Sequence, residues 1–295
     1  MISPLKYVIN IVFLGGVVSA GEDQPAVERR PQVTGAHRQE EISRLILDRG
    51  SMTVTELAQT FSVSPMTIHR DLKGLVDQGV IRRFHGGASA QPSGVFESSI
   101  RYRMSTMKNE KDAIAIEAAE MVEAGMAVLL DEGSTTLALA PLLIEISPLT
   151  IITNYFEVMK VFSQVRGVRL ISLGGEYMSN HDSFVGVRCI ENLRSLRADI
   201  AFLSTSAVSN GAAYHQEQEI VLVKRAMMQS ASRRVLLVDH SKLGRMALNR
   251  VADLKEFDRL ITDGGLDSAQ RQDLHNCEVS FTTAEIKSVS RKVAK

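Results

Sequence analysis

The sequence predicts an α/β protein in two parts: a small helical module closed by a β-hairpin, then a larger, mostly parallel α/β domain. Three observations predict it. Between Ser51 and Gly79, apolar residues recur at helical spacing on either side of a Ser-Pro turn. Val80 to Ala88 then runs apolar, basic and glycine-rich, as a short hairpin requires. From Asn109 onward, short apolar runs alternate with helical patterns, the mark of parallel strands joined by crossover helices. The 295 residues leave room for a module of about 50 residues and a domain near 200. With 44% hydrophobic and 23% charged residues, the composition is that of an ordinary globular protein and excludes a wholly disordered or fibrous chain.

Taken in order, residues 1–36 come first. Val8 to Ala20 is an apolar run after Lys6, with the look of a weak signal-peptide core but too short and glycine-broken for a spanning helix. Glu22 to Ala36 is polar and contains proline. We expect 1–36 to be an atypical extension, disordered or the product of an upstream start codon, with no membrane anchorage and a cytoplasmic protein.

The module itself is expected over 37–92. A helix from Arg38 to Arg49 presents Ile42, Leu45 and Ile46 to one side, and Gly50 stops it. A second helix opens at Thr53 or Thr55 and carries Leu57, Ala58 and Phe61 inward. Ser62-Val63-Ser64-Pro65 is the turn; Ser64 is a good N-cap, and Pro65 suits the first helical position because its φ is already helical. In the third helix Ile68, Leu72 and Leu75 form the apolar stripe, leaving Thr67, His69, Arg70 and Lys73 on other faces. Gly79 closes that helix. Two helices joined in this way, followed by a basic hairpin, make a winged helix-turn-helix, in which the second helix enters the major groove of DNA. Thr67, His69 and Arg70 are the candidates for base contact; Ser64, Lys73, Arg82, Arg83 and His85 are those for phosphate. The net formal charge is zero, and Glu40, Glu41, Glu56 and Asp77 dilute the module's basic residues. Tight binding therefore calls for two copies of the helix, from a homodimer or homotetramer.

Residues 93–108 read as a polar linker and connector, and 109–282 as the larger domain, with 283–295 a tail. The expected helices are 110–122, 136–143, 155–162, 184–193 and 217–229. The expected strands are 127–130, 149–153, 168–173, 199–203, 234–238, 259–262 and 278–280. In such a sheet, ligands bind beyond the C-terminal strand ends, where several polar segments fall. Asp131-Glu132-Gly133-Ser134-Thr135-Thr136 opens a helix with hydroxyls beside free N–H groups, a ready anion site and equally an ordinary capped turn. Thr153-Asn154, Gly174-Gly175 and Asp239-His240-Ser241-Lys242 end other strands. Glu219 and Lys224 lie on the helix between two of them; Glu219 could accept from a hydroxyl or merely begin the helix, and Lys224 and Lys242 could be solvated surface charges. Cys189 and Cys277 are the only cysteines and lack metal-ligand spacing, so neither a metal nor another cofactor is expected.

The segments Phe61 to Leu72 and Ile81 to Ala88 closely resemble the winged domain of the DeoR family of bacterial transcription regulators. Asp131 to Thr136, Thr153-Asn154, Leu173 to Gly175, Val223 to Met227 and Val238 to Gly244 resemble its C-terminal sensor domain. His69 stands where the family usually has Arg, and Glu132 and Ser134 are mild variants of its first sensor motif. The resemblance implies a sensor fold like that of ribose-5-phosphate isomerase and binding of a phosphorylated sugar or related metabolite. It implies that Ser134, Thr135 and Thr136 hold the phosphate, with Asp239 and Lys242 near the sugar end and Lys224 close by. The function implied is repression of a carbohydrate operon through double-stranded operator DNA, relieved by the sugar phosphate. An isomerase-like enzyme with a fused DNA-binding arm is the alternative. It needs a carboxylate base over the sugar carbon, and aligned with the isomerase motif Lys224 stands in that place, which favours sensing.

Overall fold

The computed structural model describes residues 35–77, 81–90, 103–104 and 106–286. The expected extension therefore lies almost wholly outside the described residues, as do Gly79, most of the connector and most of the C-terminal tail.

The first element is helix α1 (Gly35–Arg49). A short strand β1 (Ser51–Thr53), not expected from sequence, follows it. Helix α2 (Val54–Phe61) begins at Thr53, whose hydroxyl accepts from the Glu56 N–H while Glu56 accepts from the Thr53 N–H, a complete capping box. Ser62 takes the left-handed conformation (φ 52°) that stops α2, and α3 (Pro65–Asp77) starts with the Ser64 hydroxyl accepting from the Thr67 N–H. The wing is β2 (Ile81–Phe84) and β3 (Gly87–Ala90), and β3 also pairs with β1 to make a three-stranded sheet. Ile42, Ile46, Leu57, Ile68, Leu72, Leu75 and Ile81 close the module's core. Gly87 sits where any Cβ would lie 2.5 Å from both the Met52 carbonyl and the Phe84 ring, so β3 can start between β1 and the Phe84 ring only without a side chain.

The larger part is a seven-stranded sheet in the order β15-β14-β12-β9-β4-β5-β6, every pair parallel. Its strands are β4 (Ala127–Leu130), β5 (Leu149–Thr153), β6 (Val168–Ser172), β9 (Ala198–Leu203), β12 (Ala231–Leu237), β14 (Arg259–Asp263) and β15 (Phe281–Ala284). Two apolar clusters cover its faces, one built around Leu129, Ala201, Met227 and Leu236, the other around Val128, Leu130, Phe202 and Leu237. Neighbouring residues of one strand thus serve opposite cores, which is why these strands read as continuous apolar runs. The last strand lies at Phe281–Ala284 rather than at 278–280, because Glu278 is in the left-handed turn (φ 53°) that precedes it. The helix expected at 184–193 starts only at Val187; Ser183–Val185 is β8, paired with β7 (Glu176–Met178). A small antiparallel sheet of β10 (Ala207–Ser209), β11 (Ala212–His215) and β13 (Asn249–Asp253) flanks the main one.

From β4 the chain moves one way to β5 and β6, then returns to place β9 on the other side of β4 and continues outward. The strand order therefore reverses between β4 and β9, and a crevice opens beyond their carboxyl ends.

Candidate functional site

On the helical module, the residues expected to meet DNA are brought to one side. His69, Arg70 and Lys73 are exposed on α3, opposite the buried Ile68, Leu72 and Leu75, and Arg82, Arg83 and His85 are exposed on the wing. Arg83 Nη2 bonds His69 Nδ1, tying the wing to the recognition helix. Arg82 Nε donates to Ser89 Oγ at 3.1 Å. Ser64 Oγ and Thr67 Oγ1 lie 3.0 Å apart, so part of their hydrogen-bonding capacity goes into the helix start. Two features were missed. Met66 projects from the first turn of α3 with 68% of its surface exposed, the place for apolar contact with a thymine methyl. Asp71, on the inner face, is buried and takes a forked pair from Arg38 (Nε–Oδ2 2.6 Å, Nη2–Oδ1 3.3 Å), fixing α3 against α1.

In the sheet domain a narrow cleft sits at the β4/β9 reversal. It is lined by Gly133, Ser134 and Thr135 after β4, Ser204, Thr205 and Ser206 after β9, Asp239 and Lys242 after β12, with Lys224, His215 and Arg103. Gly133 is required by proximity and not by its backbone angle: a Cβ there would lie 2.7 Å from Ser204 Cβ and 2.8 Å from Thr136 Oγ1.

The floor is a buried ion cluster. Lys224 Nζ lies 2.5 Å from Asp131 Oδ2 and 2.7 Å from Glu132 Oε1, all three side chains being sealed from solvent. Burial opposes charge on Lys224, but Asp131 and Glu132 together raise its pKa. Burial likewise opposes charge on Glu132, and Lys224 overrides it, holding the carboxyl at about 2. Asp131 accepts from Gly133 N (3.0 Å), Thr136 Oγ1 (2.9 Å), Ser204 N (2.7 Å) and Lys224; burial, with the neighbouring Glu132 charge, nevertheless raises its pKa against the pull of Lys224 and these donors.

Several expected ligand residues are thereby shown to hold the site rather than line it. Asp131 spends its carboxylate on the turn and on Lys224. Thr136 is fully buried and donates to Asp131 and to the Gly133 carbonyl, which removes its hydroxyl from the cleft. Thr153 donates to the Leu130 carbonyl and accepts from the Tyr155 N–H. Asn154 is buried and donates to the Phe184 carbonyl. Gly174 and Gly175 (φ 59° and 121°) make the turn into β7, where a Cβ on Gly175 would lie 2.4 Å from the Val185 carbonyl. Glu219 is exposed in the first turn of helix Gln218–Gln229 and does not line the cleft. Conversely, Arg103, Ser204, Thr205, Ser206 and His215 line it without having been singled out. The serines and threonine after β9 carried the same strand-tip signal as Ser134 and Thr135; His215 and Arg103 carried none.

A larger groove, lined by Arg225, Met228, Arg234, Arg250 and Glu256 among others, has its arginines engaged. Arg225 donates to the carbonyls of Val251 and Arg250, Arg234 pairs with Asp258, and Arg250 with Asp253. Among the described residues there is no group of three or more His, Cys, Asp or Glu placed to hold a metal ion, and no helix long and apolar enough to cross a membrane.

A reading helix with a basic wing, joined to a parallel sheet with a polar cleft at its strand reversal, defines a DNA-binding regulator of transcription rather than an enzyme, and the chain's relatives bear this out. The profile described as the DeoR-like helix-turn-helix domain matches residues 38–93, and that of the DeoR C terminal sensor domain matches 106–264. The chain belongs to the DeoR family. It is 34% identical to the glycerol-3-phosphate regulon repressor of Escherichia coli, covering 75% of this chain and 88% of that protein. It is 33% identical to the HTH-type transcriptional regulator YgbI of Escherichia coli (84% and 97% covered) and 31% identical to a lactose phosphotransferase system repressor of Staphylococcus epidermidis (77% and 91%). Among solved structures, ribose 5-phosphate isomerase A of Methanocaldococcus jannaschii is 22% identical with a TM-score of 0.33, over 45% of this chain and 53% of that one.

Proposed function

We propose that the protein represses a carbohydrate operon and is released from its operator by a phosphorylated sugar bound in the cleft at the β4/β9 reversal. One observation carries the reading: Ser134 and Thr135, hydroxyl residues at the start of a helix, line the same cleft as Gly133 and Lys242, an arrangement suited to a phosphate group. The sugar then lies toward Lys224, His215 and the Ser204–Ser206 turn. Thr67, His69 and Arg70 read bases, and Lys73, Arg82, Arg83 and His85 contact phosphates. Ser64 contributes chiefly by capping α3. Two reading helices from a cytoplasmic homodimer or homotetramer supply the affinity that one nearly neutral module lacks. The names of the relatives, two of which are repressors of carbohydrate-related systems, agree with this reading.

The test is a thermal-shift screen of sugar phosphates, because a ligand of the folded state raises the melting temperature. Each hit is followed by operator titration on a duplex selected from random DNA. Thr135→Val keeps the shape of the turn and deletes one hydroxyl of the cleft; it should bind operator normally and sugar phosphate more weakly. If no sugar phosphate stabilises the protein, the proposed class of effector is wrong.

A further inference from the structure

The hydrogen bond that ties the wing to the recognition helix fixes which nitrogen of His69 carries a proton. Its two atoms are Arg83 Nη2 and His69 Nδ1. A guanidinium has donors only, so Nδ1 must accept. The proton of the neutral ring then sits on Nε2, because the bond made by one ring nitrogen sets the state of the other. Beyond its bond to the wing, His69 therefore presents one donor and no acceptor. A neutral imidazole without such a partner takes either tautomer, and its outer nitrogen then donates or accepts as its surroundings ask.

The clamp is held from both ends. Side chains alternate along a strand. Ile81 opens β2 and is buried in the module's core, so Arg83, two residues on, lies on the same side of the strand. Arg82 falls on the other side and donates to Ser89 of β3, its cross-strand partner. Strand β3 pairs in turn with β1, so the wing belongs to a three-stranded sheet and does not swing alone. On the helix side, the forked pair between Arg38 and Asp71 fixes α3 against α1 two residues beyond His69. His69 itself is exposed, and Thr67 is not its equivalent, since the Thr67 hydroxyl lies 3.0 Å from Ser64 Oγ at the helix start.

We propose that His69 is a specificity-determining residue that donates from Nε2 to N7 of a purine, guanine foremost, and that Arg83 is the positioning residue that restricts it to that choice. This rests on the reading of α3 as the element that enters the major groove, and it is independent of the ligand cleft. In that groove guanine shows two acceptors, N7 and O6, and adenine shows N7 beside an amino donor; cytosine shows an amino donor. A group that only donates meets guanine without opposition, adenine less well, and cytosine donor against donor. The Arg83 charge behind the ring strengthens the outer N–H, as members of a hydrogen-bonded chain polarise one another. A guanidinium carries five N–H donors, so the bond to His69 leaves others for a phosphate. The effect of Arg83 on base choice is thus separate from any contact it makes with the DNA backbone.

The experiment uses the full chain in native, His69→Ala and Arg83→Met forms, each checked for a native-like melting temperature. Native protein selects a duplex from random DNA. Each position of that duplex is then changed to the other three base pairs and, at guanines, to 7-deazaguanine, which lacks the N7 acceptor. At one guanine the native protein should lose about tenfold in affinity on removal of N7, and at least as much on exchange for cytosine, with exchange for adenine costing less. His69→Ala should bind the native duplex more weakly and be indifferent to N7 at that guanine, while keeping its preferences elsewhere. Arg83→Met keeps the stem of the side chain and removes the donor, which frees the ring to accept at Nε2. It should weaken binding generally and, at that position alone, let cytosine gain on guanine by roughly fivefold or more. Arg83→Lys, whose ammonium also only donates, should retain the guanine preference. A native protein indifferent to 7-deazaguanine throughout the site overturns the proposal, and so does a His69→Ala protein with the native base profile. An Arg83→Met protein that binds every sequence proportionately more weakly has lost a phosphate contact only, and the positioning role falls. A native chain that selects no sequence at all removes the reading-helix assignment, and the proposal with it.

Discussion

In the DNA-reading module the working residues stand outside and the core is apolar apart from Ser43 and the Asp71 carboxylate held by Arg38: His69, Arg70, Lys73, Arg82 and Arg83 are exposed over a floor of Ile42, Leu57, Ile68, Leu72 and Leu75. In the sheet domain the arrangement is inverted. Arg103, Glu132, Lys224, His181 and His215 are buried charged or titratable groups, gathered where the sheet's strand order reverses. The difference teaches where each region's substitutions should register. An exposed reading residue can be removed at almost no cost to folding, because water replaces its contacts. A buried one is part of the fold's electrostatics, so specificity for a ligand and stability of the chain cannot be separated there.

The largest expected effect tests that inversion directly. Lys224→Met keeps the length of the side chain but leaves Asp131 and Glu132 buried beside each other without a cation. Breaking one side of a buried pair typically costs about 3–5 kcal/mol. Urea unfolding should show a loss on that scale. A loss below about 1 kcal/mol would mean that water or protonation relieves the pair and that the floor of the cleft is not sealed.

Next comes the pH dependence. The folded pKa of His181 is lowered to about 4 and that of His215 is lowered well below 6.5, burial being the main cause in both. Between about pH 6.5 and 4 the unfolded chain therefore binds protons that the folded chain refuses, so stability falls as pH falls through that window. His181 alone accounts for roughly 3 kcal/mol at most. His240 has the opposite sign: its hydrogen bond to Asp263 raises its pKa, so its contribution is present below pH 6.5 and fades as pH rises through the higher folded value. It is partly exposed and should matter less. His181→Asn should flatten the acid limb by about one proton in titrations of unfolding free energy against pH; an unchanged limb would show that His181 is protonated in the folded state.

The reading module should respond in affinity instead of stability. Arg70→Ala is expected to cost about 1–3 kcal/mol of discrimination between operator and random DNA if its contact is bidentate. Arg83→Ala should lower the salt slope by about one, as loss of a phosphate contact does. Because Arg83 also holds His69, its removal should blur base preference under His69 as well. Equal discrimination by Arg70→Ala and native protein would move the reading face elsewhere on α3, with Met66 the first place to look.

The same contrast governs how much could be read from the sequence. Strands Ala127–Leu130 and Leu149–Thr153 were legible to the residue, because buried parallel strands are unbroken apolar runs between polar turns. Helices α2 and α3 were legible from the spacing of Leu57, Ile68, Leu72 and Leu75 and the Ser64-Pro65 start. Short strands such as Glu176–Met178 and Ala207–Ser209 were not, because three residues carry no period. In the cleft, Gly133, Ser134, Thr135, Lys224, Asp239 and Lys242 were found because they follow strands or match the family's motifs. Thr136 and Asp131 were assigned to the ligand from the same turn, although their hydrogen bonds face inward; sequence does not distinguish a hydroxyl that lines a turn from one that closes it. Arg103 was hidden because its partner His181 is 78 residues away.

The smallest effect lies in the module's own scaffold, and it separates folding from reading within that region. Thr53 caps α2 through its hydroxyl, and Glu56 returns the bond to the Thr53 N–H at 2.7 Å. The reciprocal bond, with the hydrogen bond from Thr53 as the main cause, lowers the Glu56 pKa. Removing an N-cap hydroxyl costs about 1 kcal/mol, within a range of roughly 0.5–2. Thr53 is also the last residue of β1, which pairs with β3 of the wing, so the cap sits where the helical and β parts of the module meet. Thr53→Ala should therefore lower the module's resistance to proteolysis and its amide protection in α2 and β3, with operator specificity unchanged because no base-reading residue is touched. If Thr53→Ala instead alters the preferred operator sequence at unchanged stability, the wing's placement is coupled to the cap, and the exposed face cannot be treated as independent of the core beneath it.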